Sequence, residues 1–374
     1  MKTVVIAGYA RSPFTLSNKG ELSKVRPDDL AATVVRGLVE KTGVNVDDIE
    51  DLILGCAFPE GEQGFNVARL VVFLAGLPQS VAGTTVNRFC GSSMQSIHNA
   101  AGAILMGAGD VYICAGVESM TRVPMMGFNP MPNPELAQSL PGAYMGMGET
   151  AENLATKYEI SRLAQEEFAV TSHQRAVAAL QAGKLKDEII AIGDVDKDGC
   201  IRPDTSLEGL AGLRLAFDEN GSVTAGTSSP LTDGASATLV CSEEYAKANG
   251  LEIMARIKSI AVSGCAPEIM GIGPVASSNK ALERAGLSVA DLDIIELNEA
   301  FASQSLACIH DLNLDMNKIN LDGGAIALGH PLGATGARIT GKAAALLKRE
   351  GKQFALATQC IGGGQGIATI LEAV

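Results

Sequence analysis

The chain of 374 residues carries a formal net charge of −13, with 47% hydrophobic and 19% charged residues, 42 glycines and no tryptophan. That balance excludes a disordered or fibrous chain and leaves enough apolar mass for two or three packed units. The acidic surplus excludes a protein that coats phosphate backbones, because nonspecific nucleic-acid binding draws its free energy from Lys and Arg. A local basic pocket for one phosphorylated ligand stays compatible with it.

No apolar run approaches the ~20 residues of a bilayer span, so no integral membrane segment is expected. Met1 to Gly8 lacks the apolar region and cleavage site of a signal peptide, and Leu371-Glu-Ala-Val374 is no peroxisomal address. The expected location is cytoplasmic. Cys56, Cys90, Cys114, Cys200, Cys241, Cys265, Cys308 and Cys360 are scattered without a CxxC pair. No metal site or disulfide framework is expected, and each thiol taken alone reads as a small buried hydrophobe.

In chain order, residues 4–6 and 52–54 predict short buried strands. Thr85 and Val86 are strand-like and give way to Asn87-Arg-Phe-Cys-Gly91, then a small-residue helical run over 92–106. Residues 111–115 predict another strand. From 120 to 141 Met, Pro and Asn dominate and predict a loop, 149–182 predict helix with a polar face, and 194–199 and 218–221 are turns. Residues 294–297 and 354–358 predict two further strands, with a small-residue helical run over 334–349 between them. Strands alternating with helices predict parallel or mixed sheets covered by helices.

Residues 39–52 overlay on 282–295, with Glu40, Gly43, Val46 and Asp48 in register with Glu283, Gly286, Val289 and Asp291. Each copy reads as a glycine-capped helix end, an acidic turn and a buried strand, although a common helix–turn–strand pattern would look the same. Each is followed by a loop bearing a reactive side chain and then a small-residue helix. Two similar α/β halves are therefore expected: residues 1–118 with 249–250, and residues 251–374. Residues 119–248 form an insertion between them, expected to act as a binding lid.

Cys90 sits where strand gives way to helix, and the positive end of a helix dipole there favours a thiolate. Cys360 follows the strand over 354–358 and precedes Ile361-Gly-Gly-Gly-Gln-Gly366, whose backbone N–H groups are free to form an oxyanion hole. A dinucleotide-binding reading of these glycines lacks the following helix and the acidic residue ~20 positions on. His330 lies in Gly323-Gly-Ala-Ile-Ala-Leu-Gly-His-Pro-Leu-Gly-Ala-Thr-Gly336. Alone it would read as structural; between two thiols expected on equivalent loops, it is a candidate to accept a proton and polarise a carbonyl. Asn298, in Asn298-Glu-Ala-Phe301, is suited to hold a water or donate to an oxyanion. His98, His173 and His310 fall in helical patterns and read as structural or surface residues.

Together, Asn87-Arg-Phe-Cys-Gly-Ser-Ser-Met-Gln95, Gly116-Val-Glu-Ser-Met120, Asn298-Glu-Ala-Phe301, residues 323–338 and Cys360-Ile-Gly-Gly-Gly-Gln-Gly366 resemble the motif set of the thiolases, in order and over nearly the whole chain. The resemblance implies a duplicated α/β fold of five layers, α/β/α/β/α, with a loop domain inserted in the first half. It implies CoA-dependent cleavage of 3-ketoacyl-CoA, or the reverse Claisen condensation, with coenzyme A as co-substrate and no permanently bound cofactor. By the same resemblance Cys90 is the acylated nucleophile, Cys360 the acid/base at the acetyl carbon, and His330 the group that activates Cys90. His330 with a water on Asn298 forms one oxyanion site, and the N–H groups of Cys90 and Gly362 form the other. Ala225, Ser228 and Ser229 match positions along the pantetheine arm. Arg202 and Phe217 match positions near the nucleotide, Arg202 reading as readily as a solvated surface charge. Met147, Met270 and Phe301 complete the implied acyl-CoA contacts.

One position departs from the short-chain biosynthetic branch, which carries His in a Tyr-His-Met-Gly stretch where this chain has Gly146. The missing ring leaves space. With the Asn87 to Gln95 motif, this resembles the degradative, β-oxidation branch with acetyl-CoA C-acyltransferase activity. The alternatives are a biosynthetic acetoacetyl-CoA thiolase and a non-catalytic acyl-CoA or lipid-binding relative. The family also implies a homodimer or homotetramer, in some degradative members joined to a hydratase/dehydrogenase partner.

Overall fold

The computed structural model describes residues 2–374. Its strands are β1 (Val4–Arg11), β2 (Thr15–Leu16), β3 (Asp51–Gly55), β4 (Ala82–Val86), β5 (Val111–Ser119), β6 (Thr232–Ser242), β7 (Ala255–Gly264), β8 (Ile294–Leu297), β9 (Phe354–Ile361) and β10 (Gln365–Glu372). They follow the order β4-β3-β5-β6-β1-β7-β10-β9-β8, with β2 on β6. The path crosses a seam two residue pairs wide, Val5 with Arg256 and Ile6 with Ala255. On both sides of the seam the arrangement is the same. β1-β6-β5-β3 and β7-β10-β9-β8 each run through two antiparallel pairings and then a parallel one. β4 is parallel to β3, and its counterpart is a single parallel bridge, Ile295 with Ile319.

The overlaid segments occupy equivalent places in the two halves. Helix Pro27–Thr42 ends at Gly43 (φ 67°) and helix Gly273–Ala285 at Gly286 (φ 68°), left-handed positions that favour glycine, and each leads through a short turn into β3 or β8.

Four apolar interfaces stack the halves into five layers. Helices Pro27–Thr42 and Val67–Leu74 bury Leu30, Leu38, Val67 and Val71 against Leu52, Leu54 and Ile113. The opposite face of that sheet, with Ile53, Tyr112 and Cys114, receives Ile97, Ala101 and Ile104 of helix Ser92–Met106. Helix Leu332–Glu350 packs Ile339, Ala343 and Leu347 on Ala355, Ala357 and Ile367 of the second half. Leu356, Ala368 and Ile370 on the far face meet Leu282, Cys308 and Leu312. Neighbouring residues Ala355, Leu356 and Ala357 thus alternate between two helix layers, as a pleated strand buried on both faces requires. The two central helices lie so close that a Cβ on Gly336 would fall within the backbone of Met94.

Between β5 and β6, the expected helix over 149–182 is two helices, Met147–Lys157 and Arg162–Gln181. Glu159 takes a left-handed φ of 52° between them, and Ser161 Oγ caps the second by accepting from the Ala164 N–H. The expected loop over 120–141 holds one short helix, Pro134–Ser139. Residues 232–242, expected within the insertion, form β6 instead and pair with both β5 and β1. Their Ala, Ser and Thr side chains are small enough for a strand covered on both faces, and their polarity hides it from a hydropathy reading. Arg11 ties the insertion down: its buried guanidinium donates to both carboxylate oxygens of Asp198 (2.7 and 2.8 Å) and to Glu188 (2.8 Å). No helix among the described residues is long and apolar enough to cross a membrane.

Candidate active site

Cys90 occupies a one-turn helix, Phe89–Gly91, directly ahead of helix Ser92–Met106. Phe89 has φ 42°, a conformation unfavourable for a bulky residue that the surroundings must enforce. Asn87 Oδ1 accepts from the Phe89 N–H (2.8 Å), while Ser92 Oγ accepts from the Arg88 N–H (2.9 Å) and donates to the Phe89 carbonyl (2.6 Å). Two stitches then join this turn to the second half. Gln359 Nε2 donates to the Cys90 carbonyl, and Arg88 Nη1 donates to Gln365 Oε1 (2.7 Å).

Burial pushes the Cys90 thiol up to about 11, although the N–H groups of Gly362 and of Cys90 itself pull it down. Burial thus opposes the thiolate that the start of a helix was expected to favour. Glu118, whose charge also raises the thiol, is itself buried and accepts from the N–H groups of Ala57 (2.8 Å), Phe58 (3.2 Å) and Gly333 (2.9 Å) and from Gln63 Nε2 (2.8 Å). It fastens the loop after β3 to the start of helix Leu332–Glu350.

His330 stands two residues ahead of that helix, as Cys90 stands two residues ahead of Ser92. The structural counterpart of Cys90 is therefore His330 rather than Cys360. Cys360 lies inside β9, paired with Gly366, because the strand runs on past Thr358 to Ile361. The His330 backbone N–H donates to Thr232 Oγ1 (3.1 Å), Nδ1 is 2.6 Å from Thr335 Oγ1, and Nε2 is 3.4 Å from Asn298 Nδ2. Burial and the nearby Arg338 charge pull His330 down to about 3, so the resting imidazole is neutral. Asn298 is fully buried, and its Oδ1 has no hydrogen-bond partner among the described residues. Next to it, Glu299 accepts from Ser172 Oγ (2.6 Å), Asn320 Nδ2 (2.7 Å) and the Ile326 N–H (3.1 Å), which pins the loop leading to His330.

The Cys360 thiol is raised well above the usual range, first by burial and next by the charge of Cys90. The two thiols are thus electrostatic neighbours. Cys360 packs with Val223, Met270, Ala300 and Phe301, and Met147 lies against this group. The Phe217 ring meets Phe301 edge-on, 5.8 Å between centroids. A Cβ on Gly362 would touch Met147 Sδ at 3.5 Å and Phe89 Cδ2 at 3.6 Å. Ser228 pairs with Phe301, and the Ser229 N–H donates to the Ala300 carbonyl (3.0 Å). Ala225 is exposed at the start of the turn leading to Ser228. Arg202 stands apart: it is exposed, its N–H donates to His173 Nδ1 (3.2 Å), and among the described residues no ion pair joins it to this group. Gly146 caps helix Met147–Lys157 from an exposed position, its N–H donating to Glu149 Oε2 (2.9 Å). A surface depression of about 350 Å³ borders Phe217, while another of about 410 Å³ lies beside edge strand β4, away from the thiols. Among the described residues no group of three His, Cys, Asp or Glu side chains is arranged to hold a metal ion.

Sequence reasoning missed Thr335, Gln359 and Glu118. The available signal was a polar side chain inside a motif of small or apolar residues, where burial obliges it to find a partner.

Two family models cover the chain: "Thiolase, N-terminal domain" over residues 4–244 and "Thiolase, C-terminal domain" over residues 251–373. A protein of Bacillus subtilis (strain 168) named 3-ketoacyl-CoA thiolase is 48% identical over 389 residues, with 100% of both chains covered. One of Photobacterium profundum with the same name is 50% identical over 391 residues, again with 100% of both covered. The crystal structure of the Bacillus anthracis acetyl-CoA acetyltransferase superposes with a TM-score of 0.93 at 40% identity, covering 100% of this chain and 99% of that one. With both halves, the duplicated topology and the full-length likeness in agreement, the chain belongs to the thiolase family.

Proposed function

We propose that this protein catalyses CoA-dependent cleavage of 3-ketoacyl-CoA to acetyl-CoA and a shortened acyl-CoA. The observation that carries the reading is the joining of the Cys90 turn to the strand bearing Cys360, through the hydrogen bond from Gln359 to the Cys90 carbonyl. The full-length relatives named for this activity support it.

His330 Nε2 takes the Cys90 proton, and the sulfur attacks the 3-keto carbon. The tetrahedral oxyanion then collapses, breaking the bond between carbons 2 and 3 to leave an acyl group on Cys90 and the enolate of acetyl-CoA. Cys360 gives its proton to that enolate carbon, becomes the thiolate and then removes the proton of incoming CoA, whose sulfur takes the acyl group as the bond to Cys90 breaks; the departing Cys90 thiolate takes back the proton held on His330 Nε2. His330 and a water on Asn298 stabilise one developing oxyanion, and the N–H groups of Cys90 and Gly362 the other. The buried amide oxygen of Asn298, without a partner among the described residues, is suited to holding that water. The wall formed by Met147, Met270 and Phe301 excludes bulk water from Cys360, which strengthens these interactions.

CoA would enter along Phe217, Ala225, Ser228 and Ser229, with Arg202 toward its nucleotide end and the insertion as cover. A place in cytoplasmic β-oxidation, and a homodimer or homotetramer with or without a hydratase/dehydrogenase partner, belong to the same proposal and rest on the family resemblance. Brief incubation with acetyl-CoA, peptide digestion and mass spectrometry test it: an acetyl group on Cys90, absent after Cys90→Ser, is expected. Acetylation elsewhere, or none, overturns the assignment.

A further inference from the structure

We propose that Thr335 is a positioning residue that fixes the proton of neutral His330 on Nδ1 and so keeps Nε2 as the ring's lone-pair nitrogen. The inference rests on reading His330 as the base for Cys90, but its own evidence is a chain of hydrogen bonds.

A threonine hydroxyl has one proton to give. Thr335 Oγ1 lies 3.0 Å from the Pro331 carbonyl, an atom that can only accept, and 2.6 Å from His330 Nδ1. With the hydroxyl proton committed to Pro331, Oγ1 is the acceptor for the ring, and Nδ1 carries the hydrogen. At the other side of the imidazole, Asn298 Nδ2 is a donor 3.4 Å from Nε2, which suits a lone pair there. The Thr335 N–H also donates to the Pro331 carbonyl (3.1 Å), so the first turn of helix Leu332–Glu350 anchors the hydroxyl from its own backbone. The branched Cβ limits the side chain to few rotamers. Arg338, one turn further on, adds positive charge that opposes a second resting proton on the ring.

The chemical consequence is specific. When Cys90 is activated, its S–H bond breaks and an Nε2–H bond forms, leaving a thiolate beside an imidazolium. The Nδ1–H stays on Thr335 throughout, while the new Nε2–H becomes a donor to the substrate oxygen. In the opposite tautomer Thr335 would donate to Nδ1, Pro331 would lose the hydroxyl, and Nε2 would already be protonated and unable to act as base.

The test combines ¹⁵N-histidine NMR of the resting full-length enzyme with acylation kinetics of Thr335→Val and Thr335→Ser. The chain has four histidines, and the His330 signals are assigned by their loss in His330→Gln. The expected wild-type spectrum has the proton on Nδ1 and the lone pair on Nε2. Thr335→Val is expected to mix the tautomers and slow acylation by roughly 10²-fold with little change in KM, the scale of a lost general base; Thr335→Ser is expected to restore both. A wild-type proton on Nε2 overturns the proposal even if Thr335→Val fails to fold. Wild-type acylation by Thr335→Val, or equal losses in Thr335→Val and a folded Thr335→Ser, also overturns it. Because the spectrum needs no turnover, an error in the proposed reaction would not pass for an error in the tautomer.

Discussion

Cys90 and His330 hold the same place in the two halves of the molecule, each two residues before the first residue of a buried central helix, Ser92 in one half and Leu332 in the other. Those helices are packed backbone to backbone where Gly336 meets Met94. The duplication thus places two different side chains ahead of two packed helices.

Gly336→Ala should separate the helices. Its Cβ would meet the Met94 main chain, which cannot rotate aside, so a loss of about 3 kcal/mol is expected in urea unfolding. Gly102, in the partner helix, has no atom within 4 Å of the point where a Cβ would stand. Gly102→Ala should therefore stabilise by roughly 0.5–1 kcal/mol through helix propensity alone. Equal responses at the two positions would contradict the packing described.

Alkylation of Cys90 by iodoacetamide should be slow at neutral pH. With the thiol at about 11, the thiolate fraction rises tenfold for each pH unit through neutral and mildly alkaline solution. Peptide mapping should follow that rise with no plateau by pH 9. A plateau near pH 7 would mean that the helix dipole, and not burial, sets the resting state.

Asp198→Ala should loosen the insertion. It leaves the Arg11 guanidinium buried and short of one partner, and it also removes the acceptor of the Phe14 N–H (2.8 Å). Breaking such a pair costs about 3–5 kcal/mol. Faster limited proteolysis between residues 184 and 200, together with that loss in urea unfolding, is expected; a change of under 1 kcal/mol would count against it.

What the sequence makes legible is what local chemistry writes into it. Gly43 and Gly286 mark equivalent helix ends, and the turn around Cys90 shows its strand-to-helix switch in the residue order. The Cys360 strand reads too short because Gln359 interrupts its apolar run, yet that side chain points across the seam to the Cys90 carbonyl. β6 is hidden by small polar residues that are buried by helices far away in sequence. The equivalent placing of Cys90 and His330 ahead of two packed helices, and the anchoring of Arg11 by Asp198, are products of long-range topology, which no local pattern encodes. Ser161 is a readable cap, and it marks the break between the two helices of the insertion.

The most direct measurement is CoA-dependent cleavage of a chain-length series of 3-ketoacyl-CoA thioesters by the wild type, Cys90→Ser and Cys360→Ser. The account predicts wild-type turnover that peaks above the four-carbon substrate and is lost in both variants. Binding without cleavage, or turnover of acetoacetyl-CoA equal to or better than that of the longer thioesters, would contradict it.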